Sequence, residues 1–379
     1  MIERILKEQI GRIRQSILLL GPRQTGKTTL LKALAPDLTV NLADERQYQD
    51  FLTDPGRLFD QIERQNPRTV FVDEIQRFPS LLNSIQVLID EKKLRFLITG
   101  SSARKLKRGG ANLLPGRIIN KEIFPLTARE LNYQIDTPKI LKWGFLPGIL
   151  TEDDEDIKRS ILESYSANYL KEEIQQEALT RNLQGFTRFL SALLEYVGLP
   201  VDYSKISQKY KLNRFAVHRF FEIIEETMVG HRIFSYSGFA GADVVKHPKF
   251  YFFDNGVMNG LARDFDVSGS LRGVITETII YNQLRAALRY REIPAEISFF
   301  RTRGGAEVDF VISGKKDMWA IEVKSNDHLS STDVKGLRNF QQHAGKRCEC
   351  LLFHFGKKEV KIDGIWCQPW AKGFKDLGW

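Results

Sequence analysis

Gly21-Pro22-Arg23-Gln24-Thr25-Gly26-Lys27-Thr28 is the stretch on which the reading of this chain turns. Its spacing is G-x-x-x-x-G-K-T. A short apolar run, Ser16 to Leu20, precedes it, and Thr29-Leu30-Leu31 follows within an expected helix that begins near Lys27. Strand, glycine-bearing loop and helix in that order make a phosphate-binding loop. The glycines let the backbone fold around phosphates with its N–H groups inward, and the helix N-terminus adds positive potential. Residues 21–29 are therefore expected to bind ATP. Lys27 would contact the β- and γ-phosphates. Thr28 would place its hydroxyl on Mg²⁺.

A second segment supports that reading. Thr69-Val70-Phe71-Val72-Asp73-Glu74 is an apolar strand ending in two carboxylates, the form of a Walker B strand. Asp73 would hold Mg²⁺ directly or through water, and Glu74 would orient and polarise the attacking water. An acid at that position separates hydrolysis from simple binding. A third apolar run, Arg95 to Thr99, ends in Gly100-Ser101-Ser102. Ser101 or Ser102 is expected at the strand tip as a sensor of the γ-phosphate or the water. The basic run Arg104-Lys105-Lys107-Arg108 that follows is either a solvated loop or a DNA contact. Arg117 is read as an arginine finger reaching a neighbouring subunit's nucleotide, or as an ordinary surface arginine.

The whole chain has 379 residues, so two or three domains are expected. With 56 Lys and Arg against 47 Asp and Glu, the net charge is +9, which favours a polyanionic partner and nucleic acid first. Three cysteines without a nearby Cys/His pair do not make a zinc site. No apolar run reaches membrane-spanning length, and residues 2–14 lack a secretory apolar core. A cytoplasmic protein without a membrane partner is expected. The first third alternates short apolar strands with helices such as Leu81 to Glu91, the pattern of a parallel α/β sheet. The expected domains are an ATPase core at 1–130, a helical connector at 131–185, a third segment at 186–255 and a C-terminal α/β domain at 256–379.

Within the third segment, Tyr203 to Tyr210 and then Asn213 to Phe221 read as helix, turn, helix. Asn213 is a candidate N-cap. Ile206, Tyr210, Val217 and Phe221 would form a small core. Arg214, His218 and Arg219 could face DNA, with Met228 to Tyr236 as a wing. Such modules also serve for protein packing. Phe250 to Phe253 reads as a buried strand.

Near the C-terminus three acids and a lysine stand out. Glu277 lies on a long helix with Tyr281, Leu284 and Leu288 at i+4, i+7 and i+11, so it falls on or beside an apolar face. A carboxylate there needs a partner. Asp309 lies in one strand, and Glu322 and Lys324 in the next. An even-length hairpin loop would put these three on one face. Two carboxylates holding Mg²⁺ or Mn²⁺, with Glu277 as a third ligand and Lys324 assisting the nucleophile or the phosphate, could hydrolyse a phosphodiester. The order Glu…Asp…Glu-x-Lys is that of the PD-(D/E)XK nucleases. A salt-bridged strand face, or a nuclease fold kept for binding alone, would use the same residues.

The segments Gly21 to Leu31, Asp54-Pro55, Val72-Asp73-Glu74-Ile75-Gln76, Ile98 to Ser102, Gly116-Arg117 and Phe124-Pro125-Leu126 together resemble the prokaryotic AAA+ proteins often labelled archaeal-type ATPases. That resemblance covers nearly the whole chain. It implies an AAA+ core of the ASCE type, a winged-helix segment and a PD-(D/E)XK-like end. It also implies a homo-oligomer, because such ATP sites are usually completed between subunits. The expected function is an ATP-dependent, DNA-binding ATPase with a metal-dependent nuclease-like domain. The alternative is a nucleotide-switched DNA-binding or regulatory protein that does not cleave.

Overall fold

The computed structural model describes residues 2–101, 114–165, 183–239, 244–315, 317–326 and 328–379. They form two compact units: Met1–Pro125 with Glu226–Val229, and Leu126–Glu225 with Gly230–Trp379.

The first unit is built on five strands, β1 (Ser16–Leu20), β2 (Leu38–Asn41), β3 (Thr69–Asp73), β4 (Arg95–Gly100) and β5 (Ile118–Glu122). They lie in the order β2-β3-β4-β1-β5, and every pairing is parallel. A parallel sheet is covered on both faces, which is why β1, β3 and β4 are almost continuously apolar and buried. Leu18, Val40, Val72, Phe96 and Ile98 pack with Leu58, Ile62, Leu82, Ile85 and Leu88 from the helices Arg57–Gln65 and Leu81–Lys92. The order places β4 between the loop-bearing β1 and the acid-bearing β3. The sheet is the expected parallel α/β architecture.

The second unit begins with short helices. Asp154 caps the helix Glu155–Ser164 by accepting from the Asp156 and Ile157 N–H groups, so the acidic run at 152–156 is a solvated helix start. The helices Tyr203–Lys209 and Arg214–Glu226 follow the longer Leu183–Tyr196. Asp202 caps the first of that pair, and the Asn213 side chain accepts from the Phe215 N–H at 2.8 Å. Ile206, Val217 and Phe221 are buried as expected. Tyr210 is only half-buried, and its hydroxyl bonds Glu195. The strands β6 (Gly230–Ile233) and β7 (Lys249–Phe252) then pair antiparallel.

A six-stranded mixed sheet completes this unit. Its strands are β8 (Glu296–Arg301), β9 (Glu307–Ser313), β10 (Met318–Lys324), β11 (Cys348–His354), β12 (Val360–Ile362) and β13 (Ile365–Pro369). They run in the order β12-β13-β11-β10-β9-β8. The long helix Gly269–Tyr290 and the helix Lys335–Ala344 accompany it. All three cysteines are free and buried.

Asp254 anchors part of this unit. It is 2% exposed, caps the helix Asn255–Ala262 through Val257 N–H at 3.1 Å, and accepts from the Phe145 N–H at 2.7 Å. Asp254→Ala removes a cap and leaves a buried N–H unpaired. The expected cost is about 2–4 kcal/mol of stability, read by urea unfolding. Burial raises this carboxyl from 3.8 to about 6, against the lowering effect of its backbone hydrogen bonds. The native state therefore takes up the proton first. The group's contribution to stability should fall as pH rises between those two values and stay level above them, and Asp254→Ala should lack that slope.

Candidate functional site

In the first unit the loop after β1 is tight for identifiable reasons. A Cβ at Gly21 would lie 2.5 Å from the Ile123 carbonyl oxygen, so no larger residue fits there. Gly26 has φ +91°, in the left-handed region that glycine adopts without strain. Thr25 is fully buried, and its hydroxyl donates to the Pro22 carbonyl at 2.8 Å. Arg4 reaches across from the N-terminal segment and donates to the carbonyls of Thr25 at 2.5 Å and Phe124 at 2.7 Å. It clamps the loop, and the sequence reading did not include it. Lys27 is 5% exposed and donates to the carbonyls of Gly21 and Pro22, each at 2.9 Å. The helix Lys27–Lys32 starts there, as expected, with Thr28 half-buried and Thr29 exposed on its first turn. Arg23 is half-buried and Gln24 exposed.

The end of β3 meets this loop. The Thr28 hydroxyl lies 3.0 and 2.9 Å from the two Asp73 carboxylate oxygens. That pairing joins the two motifs across 45 residues of sequence. Thr99, fully buried on β4, donates to Asp73 and accepts from the Glu74 N–H at 3.0 Å. Glu74 itself has φ 57° and ψ 46°, a left-handed backbone that costs energy for a residue other than glycine. Its carboxylate accepts from the Gln76 side-chain amide, whose oxygen accepts from the Ser101 N–H at 3.3 Å. Thr99 and Gln76 are thus the side chains that tie the strand tips together. Ser101 is fully buried at the tip of β4. Ser102 and the basic run from Arg104 lie outside the described residues. Arg117 is engaged within the chain, its Nε 2.8 and 2.9 Å from the Asp90 carboxylate.

Chemically this is a cradle for an anion beside oxygens for a hard cation. Mg²⁺ keeps several waters and needs only one or two protein oxygens when phosphates supply the rest. The Thr28 hydroxyl and the Asp73 carboxylate, side by side, fit that demand.

In the second unit Ser313 pairs with Met318, and Phe310 with Ile321. Four residues, 314–317, therefore connect β9 to β10. The loop length is even, as the shared face requires. Carrying the register on by one residue sets Asp309 across from Glu322, with Lys324 on the same face. Glu277 points from the helix Gly269–Tyr290 to the Tyr251 hydroxyl, which donates to it at 2.9 Å. Asp309 accepts from the Val323 N–H at 2.9 Å, and Lys324 donates to Glu322 at 2.9 Å. Burial first, then the neighbouring Asp309, pushes the Glu277 carboxyl up to about 8. Burial also raises Glu322 well above the usual carboxylate range.

The four expected residues are thus gathered, but around a fifth. Lys249 on β7 lies 2.9 Å from Glu307, 3.8 Å from Asp309 and 3.9 Å from Glu277. Burial works to lower its ammonium pKa, but Glu277, Asp309 and Glu307 outweigh that and hold it above the ordinary lysine value. Among the described residues no group of three or more His, Cys, Asp or Glu is placed to hold a metal ion. The set Glu277, Asp309 and Glu322 does not fit a shared divalent ion in this arrangement, because the ammonium stands among the carboxylates.

Comparison with known proteins divides the chain in three. Residues 14–132 match the family model described as an AAA domain. Residues 135–268 and 272–372 match two models described as domains of unknown function, DUF8612 and DUF4143. The chain therefore carries an AAA domain, and the phosphate-binding loop, Asp73 and Glu74 lie inside it. An uncharacterized protein of Mycobacterium tuberculosis is 24% identical over 319 residues, covering 81% of this chain and 70% of the relative. One of Methanocaldococcus jannaschii is 25% identical over 348 residues, covering 83% and 76%. Among solved structures, the replication initiator DnaA bound to AMPPCP and single-stranded DNA is similar with a TM-score of 0.26. Its sequence identity is 16%, and the match covers 59% of this chain and 86% of that one. Among the described residues no helix is long and apolar enough to cross a membrane.

Proposed function

We propose that the chain is an ATP-hydrolysing AAA protein whose nucleotide state governs how it engages DNA. The observation that carries the ATP half is the Thr28–Asp73 pairing, which brings the loop and the acid-bearing strand to one point. In this reading residues 21–29 hold the triphosphate, with Lys27 on the β- and γ-phosphates. Thr28 and Asp73 hold Mg²⁺. Glu74 positions the attacking water, released from Gln76 when nucleotide binds. Ser101, Ser102 and Arg117 respond to or complete the site, Arg117 after leaving Asp90 for a neighbouring copy. ATP hydrolysis that depends on Mg²⁺ and is lost in Lys27→Ala tests this half.

The DNA half rests on the net charge of +9 and on the helix Arg214–Glu226. That helix, the one before it and the β6–β7 pair have the order of a winged helix. Arg214 is exposed at its start, and the neighbouring Phe215 is 85% exposed. His218 is less free, its ring packed on Tyr203 with centroids 4.2 Å apart, and Arg219 is paired with Glu222 at 2.9 Å. Arg214→Ala should weaken duplex binding about 3- to 10-fold and lower the salt slope by about one, as for a lost phosphate contact. Fluorescence anisotropy across a salt series reads both. An unchanged affinity and slope would remove this helix from the interface.

For the C-terminal domain two readings remain: metal-dependent cleavage through Glu277, Asp309, Glu322 and Lys324, or a nuclease-like fold that does not cleave. The Lys249 ammonium among the acids favours the second.

A further inference from the structure

Lys249 is only 2% exposed, although lysine is among the residues least often buried. Its neighbours explain how it is tolerated. Glu307 and Asp309 come from β9, and Glu277 from the helix Gly269–Tyr290, all within 4 Å of its ammonium. The ammonium also lies over the Phe299 ring, 5.5 Å from the centroid.

We infer that Lys249 is the resident cation of the C-terminal acidic centre: its ammonium takes the place between Glu277 and Asp309 that a divalent ion would occupy, so the folded chain holds no divalent metal there. The 2.9 Å contact with Glu307 suits an ammonium, while Asp309 and Glu277, at 3.8 and 3.9 Å, stand at ion-pair distance. Hard divalent ions draw oxygens to about 2.0–2.6 Å, whereas charge-assisted N–H···O pairs sit near about 2.8 Å. The position is also fixed from the backbone. Lys249 pairs with Ile233 in the β6–β7 ladder and bridges Pro200 from the other side. Tyr251, two residues on, points to the same face and holds Glu277. The Lys249 backbone is therefore held on both sides, with the side chain starting on the face that carries Tyr251. An ammonium and a divalent ion at this spacing would repel each other strongly in a buried setting.

The remaining oxygens are mostly engaged as well. Asp309 is bonded to the Val323 N–H, and one Glu322 oxygen to Lys324. The second Glu322 oxygen, Oε2, is buried without a hydrogen-bond partner among the described residues. A metal could have satisfied it. With Asp309 bonded to a backbone N–H and Glu277 to Tyr251, that one unpaired oxygen is a single ligand and not a metal site. The inference concerns this centre alone and does not depend on the ATP site.

Electron paramagnetic resonance of Mn²⁺ added to the intact chain, without nucleotide, tests it. Wild type and Asp309→Asn should bind the same amount of Mn²⁺ up to millimolar concentrations. Lys249→Met, which keeps an apolar stem in the same space, should gain one Mn²⁺ site that Lys249→Met/Asp309→Asn lacks. A site present in wild type and lost in Asp309→Asn would overturn the inference. So would a folded Lys249→Met, judged by circular dichroism, that gains no site. If Lys249→Met does not fold, the comparison of wild type with Asp309→Asn decides alone. ATP turnover in the same preparations, measured separately, keeps any failure of the ATP reading distinct.

Discussion

Lys27→Ala should lower ATP affinity about 100- to 1,000-fold and bring turnover to background. The reasoning starts from what Lys27 does without nucleotide. It is nearly buried, and its ammonium donates to the Gly21 and Pro22 carbonyls inside the loop. Those two contacts are what the β- and γ-phosphates would replace. A hydrogen bond to a charged group contributes about 1.5–3 kcal/mol, so two give about 3–6 kcal/mol, and the loop contacts given up in exchange bring the net loss to about 3–4 kcal/mol of binding. Alanine also leaves two loop carbonyls with one fewer donor. Isothermal titration with ATP reads the affinity, and a phosphate-release assay reads the turnover. Affinity within a few-fold of wild type would remove Lys27 from the phosphate site.

Glu74→Gln should separate binding from chemistry. The residue sits at the end of β3 in a left-handed backbone that aims it past the strand tip. Glutamine has the same shape and tolerates that backbone about as well. It cannot take the proton of an attacking water. Removing a general base slows chemistry about 100- to 10,000-fold. ATP affinity should stay within about threefold, because the Glu74 N–H is bonded to Thr99 and its carboxylate to Gln76, neither of them in the phosphate-binding loop. Stopped turnover with preserved binding supports the assignment. Normal turnover would show that another group positions the water.

The two units were not equally legible in the sequence. The phosphate-binding loop and the Asp73-Glu74 strand end are contiguous patterns, because a loop and strand of this kind would grip phosphate and Mg²⁺ with groups close in sequence. The strand register between β9 and β10 was legible too, since alternation and loop parity fix which residues share a face. What could not be read was produced by folding over distance. Arg4 reaches the loop from 21 residues away. Thr99 reaches Asp73 because β3 and β4 are adjacent and parallel, which brings a strand interior position to the acid. Lys249 stands just before Phe250 to Phe253, the stretch that reads as a buried strand. Only the convergence of β7, β9 and the helix Gly269–Tyr290 makes it the centre of an acidic cluster. The one available signal was a lysine opening a strand otherwise made of Phe250, Tyr251 and Phe252, a place where a buried charge must find partners.

On the proposed reading, the lysine held among the C-terminal acids would suit that domain to holding a partner, with the AAA domain as the switch and DNA as the partner that the net charge of +9 favours. The most direct measurement is steady-state ATP hydrolysis by the intact chain in Mg²⁺ at low salt, titrated with duplex DNA. The account predicts turnover without DNA and a saturable, several-fold change in rate as DNA is added, lost again at high salt. Absence of Mg²⁺-dependent hydrolysis, or a rate indifferent to DNA at every concentration, would contradict it.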